Sequence, residues 1–106
     1  MTVQEPTFLI LTALAAGPLH GYGVMREVEA LSPDRGRLRA GTLYAALDRL
    51  TEAGLVEVDR EEAVDGRLRR YYRLTEPGAA ALDAEIARMR RQASTAAARL
   101  RTRHAT

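Results

Sequence analysis

The chain has 106 residues, and a β-hairpin predicted between helical segments limits the folds that it can adopt. Within residues 55–60, Val56 and Val58 alternate with the acidic Glu57 and Asp59, which is typical of a strand. Asp65-Gly66 is a strong signal for a tight turn, and residues 69–74 then predict the returning strand. The alternation places Tyr72 and Leu74 inward and Arg69, Tyr71 and Arg73 outward. A hairpin with a basic tip that follows a helix has the form of a wing.

Three helical segments precede the hairpin. The first is predicted from about Pro6 to Ala16, where Gly17-Pro18 ends it. The second opens at His20 or Gly21 and runs to Leu31, with Tyr22 expected in the core. His20 is expected to cap this helix or to pack, because no second metal ligand lies within four residues of it.

The third helix is predicted from Gly41 or Thr42 to Ala53, and Gly54 is its C-terminal cap. Its core stripe has the spacing i, i+4 and i+7 and consists of Leu43, Leu47 and Leu50. The opposite face carries Thr42, Ala45, Asp48, Arg49 and Glu52. The second and third helices, joined through a glycine-containing connection, have the pattern of a helix-turn-helix.

A long last helix is predicted from the N-cap Thr75 to about Arg101, with a disordered tail from Thr102 to Thr106. Its apolar positions form a heptad seam of Leu82, Ile86, Met89, Ala93, Ala96 and Leu100. A domain of this size does not need so long a helix for its own core, so the seam indicates a partner helix. Alternatively, Leu82 and Ile86 pack on the body and the remainder frays. The predicted division is a domain over 1–75 and a dimerisation helix over 76–106.

Composition and terminal sequence exclude several classes of protein. With 46% hydrophobic and 28% charged residues the chain is globular, and without cysteine it can form neither a disulfide nor a zinc finger. The N-terminus lacks the basic run of a signal peptide, and the apolar stretch Phe8–Ala16 is too short to span a bilayer. We therefore expect a cytoplasmic protein with no membrane partner and no cofactor. No catalytic set is recognisable, because its two histidines are far apart and no glycine-rich phosphate loop is present.

Positive charge is concentrated in patches, although the net charge is only +2. All sixteen basic residues are arginines. Residues 35–49 carry four of them, residues 60–73 five, and residues 88–106 six with no acid. Such patches can meet a polyanion without making the whole protein basic, although they also fit solvated helix faces.

Together, the helix-turn-helix and the basic wing indicate double-stranded DNA as the partner. The second helix of such a pair normally lies in the major groove, while arginines of a wing reach a minor groove or the backbone. The candidate DNA-binding residues are Arg39, Gly41, Thr42, Tyr44, Arg49, Arg67, Arg69 and Arg70. Alternatives stay open for three of them: Thr42 as a helix cap, Tyr44 packed against the wing, and Arg49 in an ion pair.

Three blocks of sequence resemble the PadR family of transcriptional regulators. Residues 17–23 (Gly-Pro-Leu-His-Gly-Tyr-Gly) resemble the start of that family's second helix. Gly41-Thr42-Leu43-Tyr44, followed by Leu47, Arg49-Leu50 and residues 54–56, resembles its recognition helix. Residues 69–75 and Gly78 resemble its second wing strand and the start of its last helix. Two positions depart from the pattern, since Ala40 replaces a common capping serine and Ala45 a frequent proline.

The resemblance implies a winged helix-turn-helix homodimer, mainly α with a two-stranded β wing, whose C-terminal helix forms the dimer interface. It implies a repressor that binds an inverted repeat near promoters and is released by a small, often aromatic, ligand. The chain resembles the shorter branch of the family, with a single C-terminal helix.

A second function stays open at this point. Winged helices also serve as protein-interaction modules without specific DNA binding, because fold does not fix function. The same DNA contacts would also serve an activator. A module that binds protein does not need arginines at both the third helix and the wing tip. The presence of arginines at both places therefore favours DNA as the partner.

Overall fold

The computed structural model describes residues 5–35 and 38–105. In these ranges the elements are α1 (Glu5–Ala15), β1 (Leu19–His20), α2 (Gly21–Leu31), α3 (Ala40–Glu52), β2 (Val56–Val64), β3 (Arg67–Leu74) and α4 (Glu76–Ala105). A 3₁₀ turn, Pro33–Arg35, follows α2. Residues 36 and 37, between α2 and α3, lie outside the described ranges. The predicted mainly helical fold with a β wing and a long C-terminal helix is confirmed.

The core forms where α1 meets the other elements. Ile10, Leu11 and Leu14 of α1 are buried, and Leu43, Ala46, Leu47 and Leu50 of α3 form the predicted apolar stripe. The hairpin adds Val56 and Tyr72, and α4 adds Leu82. α1 packs on α2, α4 and β3, and α3 packs on α2 and β2, so α3 and the hairpin share one packed base and keep their other faces exposed.

The end of α3 is fixed by hydrogen bonds around Gly54. This glycine has a φ of 78°, a left-handed conformation that a residue without a Cβ adopts without strain. Its N–H donates to the carbonyl oxygen of Thr51 at 3.1 Å, and the N–H of Leu55 donates to that of Leu50 at 3.0 Å. This Schellman pattern satisfies two terminal carbonyls and turns the chain directly into β2.

The hairpin is longer than the sequence predicted. β2 and β3 pair antiparallel up to Val64 and Arg67, which flank the two-residue turn directly. Asp65 and Gly66 both have positive φ, 50° and 77°, which defines the favoured hairpin turn of type I′. A register shift between Val58 and Arg60 leaves one extra residue in β2, a bulge that increases the local twist.

A third strand, β1, was not predicted. Leu19 and His20 pair antiparallel with Tyr72 and Tyr71 of β3, so the sheet has the order β1-β3-β2. A strand of two residues is too short to show an alternation of apolar and polar side chains. Gly17-Pro18 before it indicated only the end of the first helix. The extra strand connects the start of α2 to the wing through backbone hydrogen bonds.

The prediction that Tyr22 belongs to the core was wrong. Its side chain is 61% exposed, because α2 turns Gly21, Val24 and Val28 toward the core instead. The Tyr22 ring stacks on His20 with centroids 6.4 Å apart, and the Arg26 guanidinium lies 5.8 Å from its centroid.

Thr75 caps α4, as predicted. Its Oγ1 accepts a hydrogen bond from the N–H of Gly78 at 3.0 Å and donates one to the carbonyl oxygen of Gly54 at 2.6 Å. The helix continues to Ala105, so the expected disorder from Thr102 onward was wrong for the described residues, while Thr106 lies outside them. Alanine and arginine, which dominate its last turns, are strong helix formers.

Candidate nucleic-acid interface

The amino end of α3 suits an anion. Ala40 begins the helix, and the N-cap residue Arg39 makes no capping hydrogen bond with its side chain. The first N–H groups of a helix have no acceptor within it and carry partial positive charge, so they favour a phosphate. Thr42 lies inside the first turn and is therefore not the cap. Arg39, Gly41 and Thr42 are all exposed at this end.

Tyr44 is held by the start of α2 rather than by the wing alone. The residue is 45% exposed. Its ring lies against Gly21, where a Cβ would come within 2.6 Å of the Tyr44 Cζ. Any side chain at position 21 would displace this tyrosine. Gly21 is thus a positioning residue, whereas the sequence indicated it only as a possible start of the second helix and as part of a family motif.

The inner and outer faces of the hairpin carry different arginines. Tyr72 points to the core, and with the strand period of two Arg70 points to the same, inner face while Arg69 points to the outer one. Arg67 shares the outer face at the wing tip. The alternation in the sequence predicted that Arg69 faces outward and left the face of Arg70 unassigned.

Ion pairs neutralise two arginines of the outer face. Arg73 contacts Glu57 at 2.6 Å and Asp59 at 3.5 Å. Arg60 contacts Asp59 at 2.8 Å and Glu62 at 2.7 Å. Exposed pairs like these contribute little to stability, but they leave these guanidinium groups less free for another anion.

Other arginines of the candidate site have no close carboxylate partner among the described residues, although Glu62 lies opposite Arg69 in the hairpin. Within residues 5–35 and 38–105, Arg39, Arg49, Arg67 and Arg69 form no ion pair. This removes the alternative that Arg49 is ion-paired. Arg70 comes only within 3.9 Å of Glu61. Unpaired guanidinium groups therefore lie at both ends of α3 and at the wing tip, and others in the described residues lie on α2 and α4: Arg26, Arg90, Arg91, Arg99 and Arg101.

A groove of about 760 Å³ separates α3 from the hairpin. Tyr22 and Tyr44 line its helical side with Asp48, and Leu68 and Arg70 line its hairpin side. Leu68 is 68% exposed beside the free Arg67 and Arg69. Sequence reasoning missed Leu68, although an apolar residue between arginines just after a turn was a readable signal.

His20 joins the groove to the α2 cap. Its Nδ1 accepts a hydrogen bond from the N–H of Gly23 at 3.1 Å, so its predicted capping role is confirmed. Burial, and secondarily the positive charge of Arg69, lower the pKa of His20 below its ordinary value. Its ring also meets the Tyr71 ring edge-on, with centroids 5.3 Å apart.

Protonation of His20 is expected to destabilise the fold. Because its folded-state pKa is lowered, the unfolded chain binds the proton more readily, and the stabilisation is lost as the pH falls from about 6.5 through the folded pKa. His20→Asn keeps a capping side chain without titrating, so the difference in free energy of unfolding between wild type and variant should change between pH 7 and pH 5. Urea unfolding at both pH values measures it, and a constant difference would contradict the assignment.

The predicted heptad seam divides into two parts. Leu82 is buried in the chain's own core and Ile86 packs against that core, so neither is free for a partner helix. Met89, Ala93, Ala96 and Leu100 lie in the part of α4 where every residue from 89 to 105 is exposed. The part of the alternative that packs Leu82 and Ile86 on the body is confirmed, whereas the expected fraying of the remainder is wrong because α4 continues to Ala105. The remaining four positions stay a predicted interface.

The described residues provide neither a metal site nor a membrane-spanning helix. Across residues 5–35 and 38–105, no group of three or more His, Asp or Glu side chains could hold a metal ion. None of the helices in the same ranges has the length and apolar character needed to cross a membrane.

Comparison with known proteins identifies the family. The model of the transcriptional regulator PadR-like family matches residues 10–84. Transcriptional regulator Rv3488 of Mycobacterium tuberculosis is 44% identical over 73 residues, which cover 69% of this chain and 64% of that protein. The chain spans 25% to 68% of the length of three curated relatives that it matches.

Solved structures agree with this fold. A PadR family transcription regulator from Clostridium difficile has a TM-score of 0.71 and 25% identity, over 92% of this chain and 99% of that one. Bacillus subtilis PadR, solved in complex with operator DNA, has a TM-score of 0.69 and 21% identity, over 78% and 48% respectively. With the family model covering most of the chain, the resemblance of its motifs is confirmed. The chain belongs to the PadR-like family of transcriptional regulators.

Proposed function

We propose that this chain is a sequence-specific DNA-binding regulator rather than an enzyme, and that it acts as a homodimer. The observation that carries the proposal is the presence of unpaired arginines at both α3 and the wing tip. Arg39 and Arg49 flank α3, and Arg67 and Arg69 occupy the wing tip, while the other wing arginines with close ion pairs lie nearer the base of the hairpin. In this arrangement α3 enters the major groove, and the wing arginines contact phosphates or the adjacent minor groove.

The dimer is proposed from the exposed end of α4. A helix in which 17 successive residues, 89–105, are all exposed gains no stability from packing within the chain. Met89 and Leu100 are 43% and 55% exposed on one face. We assign residues 76–106 to the dimer interface, except the first turns that pack on the core, and residues 1–75 to DNA binding.

The symmetry of a dimer determines its operator. A two-fold dimer presents two identical α3 helices, so its site is an inverted repeat with half-sites about 34 Å apart. Repression, and release by a small aromatic ligand held between α4 and the body, are what the family resemblance implies, and both enter the proposal on that support alone. A protein-interaction module remains the second candidate, but it gives no role to the unpaired wing arginines.

Alanine at Arg67 and Arg69 is expected to weaken DNA binding across all sequences. Each lost phosphate contact should lower the slope of log K against log salt concentration by about one unit. Fluorescence anisotropy with a labelled duplex at several salt concentrations measures the slope. Arg101→Ala, which removes the same charge from the far end of α4, should leave it unchanged. Slopes that stay equal in all variants would remove the wing from the interface.

A further inference from the structure

The face of α3 that points directly away from the core carries no basic residue. On a helix of about 3.6 residues per turn, four exposed residues lie within about 30° of the direction opposite the buried face of Leu43, Ala46, Leu47 and Leu50. These residues, the outward ridge, are Gly41, Ala45, Asp48 and Glu52. Thr42 and Arg49 lie toward one side of the ridge, and Tyr44 lies toward the other.

Gly41 has no role inside the chain. It lies in a helix, where glycine is unfavourable relative to alanine, and a Cβ at this position would meet nothing within 4 Å. Its φ is not positive, so the backbone conformation does not require glycine either. Gly41 has no side chain and Ala45 has only a methyl group. On the exposed face of α3, these small residues therefore let the helix backbone come close to a partner.

Asp48 is the next residue of the ridge and carries a free carboxylate. It lies on the edge of the ridge nearest Tyr44, where it lines the groove between α3 and the hairpin. No hydrogen bond or ion pair within residues 5–35 and 38–105 holds this carboxylate. Near phosphates an unpaired acid only weakens binding, whereas on a base edge it can accept a hydrogen bond. In the major groove cytosine offers the N4 amino group alone, which suits an ionised acid that has acceptors only.

We propose that the outward ridge sets the base preference, with Gly41 and Ala45 allowing close approach and Asp48 accepting a hydrogen bond from the N4 amino group of a cytosine. This inference rests on the proposed function and deepens it. It predicts a cytosine in each half-site that thymine replaces poorly, because the O4 atom of thymine would face the carboxylate as a second acceptor.

Selection from a pool of duplexes with randomised sequence tests the inference on the full chain. The wild type should enrich an inverted repeat with a fixed cytosine, and changing that cytosine to thymine should weaken binding roughly 5- to 150-fold. Asp48→Asn should shift the preference at this position away from cytosine, since asparagine pairs well with adenine. Asp48→Ala should abolish the difference between the cytosine and thymine duplexes.

Glu27→Gln is the matched control. Glu27 is exposed on α2 and lines a separate hollow with Thr12 and Leu31, so the substitution removes the same charge away from α3. It should leave the enriched motif unchanged, and all variants should keep the thermal midpoint of the wild type.

Three outcomes overturn the inference. If Asp48→Asn enriches the same cytosine, or if Asp48→Ala tightens binding to every duplex by the same factor, the carboxylate only repels phosphates. If the wild type enriches a motif without cytosine-to-thymine discrimination, the ridge does not read that base. In these cases the proposed function stands. A wild type that enriches no sequence overturns the proposed function as well.

Discussion

Gly78→Ala is expected to destabilise the fold by about 3 kcal/mol, the upper end of what overpacking usually costs. A Cβ at this position would collide with the carbonyl oxygen of Leu55 and lie 2.8 Å from Leu74 Cδ1. The obstacle is mainly backbone, and the same carbonyl already accepts the N–H of Thr75 at 3.1 Å, so it cannot move away freely. For a domain stable by about 5–15 kcal/mol the loss is large.

Thermal unfolding followed by circular dichroism measures this effect. A loss of about 3 kcal/mol corresponds to a fall in Tm of about 10–25 °C for a domain of this size. Gly41→Ala is the control, since it makes the same change in a helix where a Cβ meets no atom within 4 Å. That variant should gain about 0.5–1 kcal/mol. Equal midpoints for both variants would contradict the close packing of α4 on Leu55.

Glutamate at both Met89 and Leu100 is expected to separate the proposed dimer. These are the two large apolar residues of the exposed seam, and paired helices would bring like charges together in an apolar interface. The variant should sediment at the monomer mass of 11.7 kDa. Its affinity for a two-half-site operator should fall about 100-fold or more, because the second half-site no longer binds intramolecularly.

Glutamates at Ala98 and Thr102 provide the control for charge and helix length. Both residues are exposed on the opposite side of α4, so this variant should remain a dimer with unchanged DNA affinity. Dissociation of both variants would point to a general charge effect. If the Met89 and Leu100 variant still sediments as a dimer, the interface lies elsewhere.

The sequence predicted the elements whose signals are local. The Asp65-Gly66 turn, the Gly54 cap and the core stripe of α3 depend on a few neighbouring residues, and the structure has all of them. The pairing of Leu19 and His20 with β3 depends on residues about fifty positions away, so no local pattern could indicate it.

The candidate site was predictable by residue type but not by arrangement. Free and neutralised arginines look alike in a sequence, and the register of the hairpin decides that Arg73 pairs with Glu57. Likewise, the exposure of Tyr22 follows from which face of α2 meets α1. The heptad seam included Leu82 and Ile86, which pack on the chain's own core, since periodicity shows that a face is apolar but not which partner covers it.

Fluorescence anisotropy of the purified chain tests the central claim most directly. The labelled duplex carries the DNA just upstream of the chain's own gene, with a scrambled duplex of equal length as the comparison, at low and at high salt. We predict tight binding to the upstream duplex with two chains per duplex, weak binding to the scrambled one, and a steep fall of both with salt. Absence of binding to either duplex at low salt would contradict a DNA-binding function and favour the protein-interaction module.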